Sequence, residues 1–430
     1  MRSPALLPAL TLALLMAPTT SADEWFDRQR PGLLDLYQHL HAHPELSYKE
    51  VETSKRIADE LGRAGADVTP GIGKLGVVGL LKNGEGPTVL VRSDLDALPV
   101  TEQTGLSFAS KVTTTDDEGK AVGVMHACGH DIHMTCLVAT ARWLAQHRDA
   151  WKGTVIFVGQ PAEEKIGGAK AMLDDGLYSR FPRPDYALAL HVAHDLETGK
   201  LAFTKGPAMA SSTSIDVIVR GKGGHGAMPN NTVDPIVLAA AIVLDLQTIV
   251  SREMSPLSPA VVTVGSIHGG SKHNIIPSEV RLQLTIRSYR AEVRQHMIAA
   301  IERKAKALAQ AHRAPEPSII ISDDTPPTIN TPALVDRVVP SLRKAVGEPN
   351  VVEVEPTMGA EDFGLFATGG VPIFMFRLGT IPPAKLDEYK SKGEPLPSLH
   401  SALYHPDAPP SVEAGVKAMT AAVIGLLPPR

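Results

Sequence analysis

Glu279-Val-Arg-Leu-Gln-Leu-Thr-Ile-Arg287 alternates polar and apolar side chains without a fault. A period of two sends one set of side chains to one face, so the run predicts a strand buried on one side. Its neighbours decide the architecture. Upstream, Ile215-Asp-Val-Ile-Val219 predicts a strand, Pro235 to Val250 a helix opened by Asp234-Pro235, and Pro259 to Ile267 a second strand. Downstream, Ala291 to His312 predicts a long amphipathic helix and Ser318 to Ile321 a closing strand. The order β-α-β-β-α-β is the split-βαβ, ferredoxin-like α+β sandwich, assigned to residues 209–323.

On both sides of this unit the pattern is different. Ser47-Tyr48-Lys49-Glu50 reads as a capping box, with Val51, Ile57 and Leu61 following at helical spacing. Thr88 to Arg92, Thr154 to Gly159 and Tyr186 to Leu190 read as short buried strands. Asp131 to His147 reads as a helix with Met134, Leu137, Val138, Ala141 and Leu144 on one face. A further helix closes at Gly176, and after Pro326-Pro327 a strand (Val371 to Phe376) and a helix (Ser411 to Leu427) follow. Strands alternating with helices predict an α/β domain, a mixed sheet flanked by helices. It takes residues 23–208 and 324–430, with the α+β unit inserted.

Residues 1–22 stand apart. Arg2 supplies a positive start, Leu6 to Met16 is apolar with Pro8 inside it, and Thr20-Ser21-Ala22 offers small residues for cleavage before Asp23. This predicts a secretory signal peptide and a periplasmic or secreted mature protein. The apolar run falls short of the roughly 20 residues that span a bilayer. No later segment is expected to span, so no membrane association is expected after cleavage.

The 430 residues are 43% apolar and 21% charged, as in an ordinary globular protein. A net charge of −5 and no Lys/Arg stripe exclude nucleic acid as a partner, and 4% aromatics supply few stacking platforms. Two cysteines cannot form a disulfide framework, whereas sixteen histidines are many.

The chemistry gathers at predicted strand ends, where open α/β sheets place their sites. His126-Ala-Cys128-Gly-His130-Asp131-Ile-His133 holds a thiol and an imidazole two residues apart. In an extended segment both point the same way, a pair suited to zinc or a similar transition metal. Glu163-Glu164 follow a strand directly, and adjacent carboxylates there are costly without a cation. Asp94 and Asp96 end an earlier strand, His191 closes a buried one, and His400 sits in Ser398-Leu399-His400-Ser401. Four such strand ends and a CxH pair point to a metal centre. Cys136, five residues into a helix, reads as a core thiol.

HPELSYKE, RSDLDALP, HACGHDIH, GQPAEE, Leu190-His191, GGHGAMPN, NIIP, GAEDF and LHS occur in this order. The run resembles the aminoacylase-like dinuclear-metal amidohydrolases and exopeptidases, which include hippurate hydrolase, N-acyl-amino-acid amidohydrolase and indole-acetyl-amino-acid hydrolase. The resemblance implies a metal-binding catalytic domain with an inserted lid through which two chains form a homodimer. It implies two divalent transition metal ions per subunit, zinc or manganese with cobalt or nickel as alternatives, on Cys128, His130, Glu164, His191 and His400. It makes Glu163 the general base and gives Asp96, with Asp94 and Glu361, the task of orienting ligands. His225 is assigned to the carbonyl oxygen, and Asn274 and Arg287 to a substrate carboxylate.

Three departures from the family stand out. Asn230 replaces a second lid histidine, LHSA replaces LHSP with His405 as a rival to His400, and Asp407 to Pro410 replaces a more acidic segment. The expected reaction is hydrolysis of an amide beside a free carboxylate, on an N-acyl amino acid or short peptide. The alternative enzyme is a carboxypeptidase or dipeptidase with the same site. A non-enzymatic metal or solute binder has no need of an unliganded Glu163 beside Glu164. The acyl group and the physiological metal are not legible at this level.

Overall fold

The computed structural model describes residues 22–429, so the leader read over residues 1–22 lies outside them except for its last residue. Helix α1 (Ala22–Ala42) comes first and has no counterpart in the sequence reading. Phe26, Leu33, Tyr37 and Leu40 are buried at steps of three, four and seven, one face of a helix. Helix α2 (Val51–Arg63) is capped differently from expectation. Ser47 Oγ donates to Asp96 Oδ2 at 2.6 Å instead of capping. The carboxylate of Glu45 accepts the N–H groups of Glu52 and Thr53 at 3.2 and 2.7 Å. The capping box fails because a buried carboxylate is a stronger acceptor for the serine than a local amide is a partner.

The chain continues through β1 (Asp67–Ile72), β2 (Gly76–Asn83), β3 (Thr88–Asp94), α3 (His130–Gln146), β4 (Gly153–Gln160), α4 (Gly168–Asp174), β5 (Tyr186–Glu197) and β6 (Leu201–Phe203). A second group follows: β7 (Ser211–Arg220), α5 (Pro235–Thr248), β8 (Ala260–Gly269), β9 (Glu279–Ser288), α6 (Ala291–Ala311) and β10 (Ser318–Thr325). The described chain ends with α7 (Pro332–Val346), β11 (Val351–Glu353), β12 (Ile373–Ile381) and α8 (Ala408–Leu426).

The larger sheet is mixed, with strand order β1-β2-β4-β3-β5-β12-β6-β11. Its centre, β4, β3, β5 and β12, is parallel. Val89 and Val91 of β3 pack on one side with α1, α3 and α8, while Leu90 packs on the other with Phe363 and Phe366. Burial on both faces is what makes these strands continuous apolar runs. One strand exceeds its expected length. Parallel pairing with β12 carries β5 past Leu190 to Glu197, so His191 lies inside the strand and not at its end.

The smaller sheet is antiparallel, in the order β8-β9-β7-β10, and has its own core. In β9, Val280, Leu282, Leu284 and Ile286 are buried while Glu279, Arg281 and Gln283 are exposed. Helix α5 buries Leu238, Ala239, Ile242 and Leu246 against this sheet, but Ile236, Val237 and Leu244 stand exposed. The stretch Pro235–Glu253 is long and apolar enough to cross a membrane by length and composition alone. That corrects the expectation that no later segment would be.

His41 is buried and ties α1 to α3. Its Nδ1 meets Asp131 Oδ2 at 2.7 Å and its Nε2 meets Glu102 Oε1 at 3.1 Å. Burial opposes the charge, but the two carboxylates outweigh it and raise His41 from 6.5 to about 9. A raised histidine stabilises fully below its unfolded pKa and loses that contribution as pH rises through its folded one. The contribution is about 3 kcal/mol at most. Thermal midpoints of wild type and His41→Gln are therefore expected to differ most at pH 6 and to draw together toward pH 9. A gap independent of pH would show that His41 is uncharged.

Candidate metal centre

Cys128 and His130 converge, but not by the route their spacing suggested. The segment is not extended: Gly129 sits at φ 72°, the left-handed region, and His130 starts α3. A Cβ at Gly129 would also come within 2.7 Å of Val192 on β5. Glycine alone satisfies both demands, and the turn it makes aims both side chains at one point.

Glu163 and Glu164 lie in the loop after β4. Ala162 and Ile166 on either side of them adopt positive φ, a conformation held only where surroundings enforce it. The Ala162 N–H donates to Glu50 Oε1 at 2.7 Å and the Glu164 N–H to Asp96 Oδ2 at 3.0 Å, which pins the loop.

The donors meet from four segments. Cys128 Sγ is 3.6 Å from His191 Nε2, and Glu164 Oε1 is 3.8 Å from His130 Nε2 and 3.5 Å from His400 Nε2. Two histidines are oriented by main chain: His130 Nδ1 donates to the Asp96 carbonyl and His191 Nδ1 to the Val192 carbonyl, both at 2.8 Å. Each then presents Nε2, the ring nitrogen left free to ligate a metal, to the site. His133 does not: Nδ1 meets Asp94 Oδ1 and Nε2 accepts the Val192 N–H, so both its nitrogens are used. His405 lines a separate groove with Leu34, Tyr37 and Phe108, whereas His400 lines the main cavity.

Three buried atoms here have no hydrogen-bond partner: His130 Nε2, Glu164 Oε1 and Asp96 Oδ1. Orphans of this kind are rare. The electrostatics agree. Burial and then Glu164, Glu163 and Asp94 push the Cys128 thiol well up. Burial opposes a charge on His130, yet Asp94, Asp96 and Glu164 raise it to about 10. The cluster demands positive charge, and its thiol, imidazole and carboxylate set fits divalent transition metals. The residues fall into groups compatible with two ions, Cys128-His130-His191 and Cys128-Glu164-His400 among them.

Beneath the donors is a residue the sequence reading missed. Arg92 is fully buried and donates to Asp94 at 2.7 Å, Glu361 at 2.8 Å, Asp362 at 3.2 Å and Gln160 Oε1 at 2.9 Å. Asp94 and Glu361 thus share this guanidinium, and Asp94 also meets His133 through its other oxygen. The available signal was a charged residue directly after the apolar run Val89-Leu90-Val91 of a buried strand.

A cavity of about 810 Å3 opens over the site and is lined by Cys128, Glu163, Glu164, His191 and His400. Arg287 reaches it from β9, donating to the Met358 carbonyl at 3.1 Å, and has no carboxylate partner among the described residues. His225 and Asn274 do not line it. They lie side by side on the exposed face of the smaller unit, where the Gly226 N–H donates to the Asn274 carbonyl at 2.9 Å. His225 Nδ1 accepts the Ala227 N–H at 3.0 Å, leaving Nε2 as an outward donor. Asn230 is exposed nearby, and Cys136 is a buried free thiol.

Similarity to known proteins follows the same outline. The model of peptidase family M20/M25/M40 matches residues 90–394. Thermostable carboxypeptidase 1 of Saccharolobus solfataricus is 37% identical over 352 residues, covering 81% of this chain and 86% of that protein. Hippurate hydrolase of Campylobacter jejuni is 37% identical over 345 residues, covering 78% and 87%. A dinuclear metal binding peptidase of the M20 family from Bacillus subtilis superposes with a TM-score of 0.74 at 29% identity, covering 93% of this chain and 99% of that one.

Proposed function

This chain belongs to peptidase family M20/M25/M40 and is a metal-dependent hydrolase, and on that premise we propose that it cleaves the amide of N-acyl amino acids beside a free carboxylate. The observation that carries the proposal is one cavity lined by Cys128, Glu164, His191, His400 and Arg287, the last a half-buried guanidinium with no carboxylate partner among the described residues.

Cys128, His130, Glu164, His191 and His400 would hold two divalent ions. Bound there, the metals supply a lowered water pKa and a polarised amide carbonyl. Glu163, adjacent to Glu164, takes the water's proton on its carboxylate and delivers it to the leaving nitrogen. Burial, then Glu361, Glu164 and Asp362, raise Glu163 well above the usual carboxylate range, which suits a group that must hold that proton. Asp96 orients His130 through its carbonyl and the Glu163-Glu164 loop through Oδ2. Arg287 receives the substrate carboxylate, and Asn274, which lies outside this cavity, would join it only from a second copy of the chain.

The smaller unit, residues 209–323, is taken as an inserted ferredoxin-like lid that pairs two copies of the chain. The exposed Ile236, Val237 and Leu244 supply an apolar face for a second copy to cover. Export is part of the same reading: Trp25 and Phe26 already belong to the core, so the folded body starts beside the cleavage point before Asp23.

A second reading, a carboxypeptidase, is favoured by the Saccharolobus relative. A panel of N-acyl amino acids and dipeptides separates the two readings. With a divalent transition metal restored, turnover is expected on N-acyl amino acids, and a chelator is expected to abolish it. Full activity in protein shown to be metal-free would end both readings.

A further inference from the structure

Arg377 has no part in the reaction just described, yet it faces the same cavity. It lies on β12 in register with His191 on β5. Residues in register on neighbouring parallel strands project from the same face about 4.8 Å apart. Arg377 Nη2 donates to Asp195 Oδ1 at 2.9 Å, its one hydrogen-bond partner among the described residues. That aspartate is 56% exposed against 28% for the arginine, and a pair so open to water holds its arginine weakly. Guanidinium has five N–H donors, so Nε and Nη1 remain for a ligand. Beside it, His194 also lines the cavity, and its buried Nδ1 has no hydrogen-bond partner among the described residues.

The cavity therefore carries two guanidinium groups, Arg287 from β9 and Arg377 from β12. A substrate with one carboxylate satisfies one of them. The lining acid Asp117 pairs with Lys165 and leaves both arginines alone, and Glu355 is exposed.

We propose that Arg377, with His194 beside it, selects substrates bearing a second carboxylate, so that the preferred substrates are N-acyl compounds with two acid groups. The inference rests on the function proposed above, in which Arg287 takes the carboxylate next to the scissile amide. The second acid belongs either to the amino acid's side chain or to the acyl group, and both would meet Arg377 through the same fork of N–H donors.

Two isosteric pairs test this on the metal-loaded enzyme: N-acetyl-glutamate against N-acetyl-glutamine, and N-succinyl-leucine against N-succinamoyl-leucine. In one pair, wild type is expected to favour the acid about 10- to 100-fold in kcat/KM, the range of a hydrogen bond to a charged group. The responding pair identifies which side carries the second acid. Arg377→Gln and Arg377→Met are both expected to bring that ratio to within about threefold of unity, the loss falling on the acidic member. No preference in either pair with wild type would overturn the inference even if neither variant folds. So would variants that slow both members alike. If all four substrates are inert while N-acyl amino acids with an apolar side chain and an apolar acyl group are hydrolysed, the Arg377 inference alone fails. If those too are inert, the proposed reaction fails first.

Discussion

Glu163→Gln is expected to keep its metal and lose at least about 10²-fold in turnover, the usual scale for a removed general base. Glu164→Gln is expected to lose metal first and activity with it. The two are neighbours in one loop, but their surroundings differ. Glu164 Oε1 stands between His130 and His400, at 3.8 and 3.5 Å, with the Cys128 thiol in the same group. Removing its charge removes one of the electron-pair donors that would hold an ion together with these histidines. Glu163 also groups with Asp94 and Glu361, and burial, then Glu361, Glu164 and Asp362, raise it, the direction for a proton carrier. Metal analysis and kcat, measured on the same preparations, separate the two losses. Metal lost from Glu163→Gln and retained in Glu164→Gln would exchange the roles.

The second large effect concerns His225. If two chains pair through the smaller unit, its exposed Nε2 donor is free to reach the partner's site. There it would stabilise the developing oxyanion, a contribution of roughly 10²–10³ in rate for one well-placed donor. His225→Ala and Glu163→Gln are then each inactive as homodimers. Combined in one heterodimer they should recover about half of wild-type activity, because one of the two sites regains both a base and a histidine. Co-expression with two different tags and purification of the doubly tagged species supplies the sample. Activity no higher than either parent in a verified heterodimer would refute action across the interface. The location of His225 and Asn274 outside their own subunit's cavity motivates the experiment.

Much of this was legible residue by residue. The alternation of Glu279 to Arg287 appears intact in β9. Thr88 to Arg92 predicted a buried strand, and Val89 and Leu90 do enter opposite cores. Where the reading failed, a distant partner decided. Ser47 binds Asp96 and not its own helix, 49 positions away. Strand β5 runs past His191 because β12, far along the chain, extends the ladder.

Periodicity, motif order and residue type were enough to establish an α/β layer, a second β-α-β-β-α-β group and a set of thiol, imidazole and carboxylate donors. They could do so because a backbone repeat is a local property, readable in any window of ten residues. Tertiary structure alone decided that Gly129 must turn left-handed for Cys128 and His130 to meet. It alone brought His400 and not His405 to the cavity, set His225 outside it, and placed Arg92 against Glu361 across 269 positions of chain. Those outcomes depend on which charges are desolvated together. Desolvation is fixed by packing between remote segments, and no local pattern of residues records it.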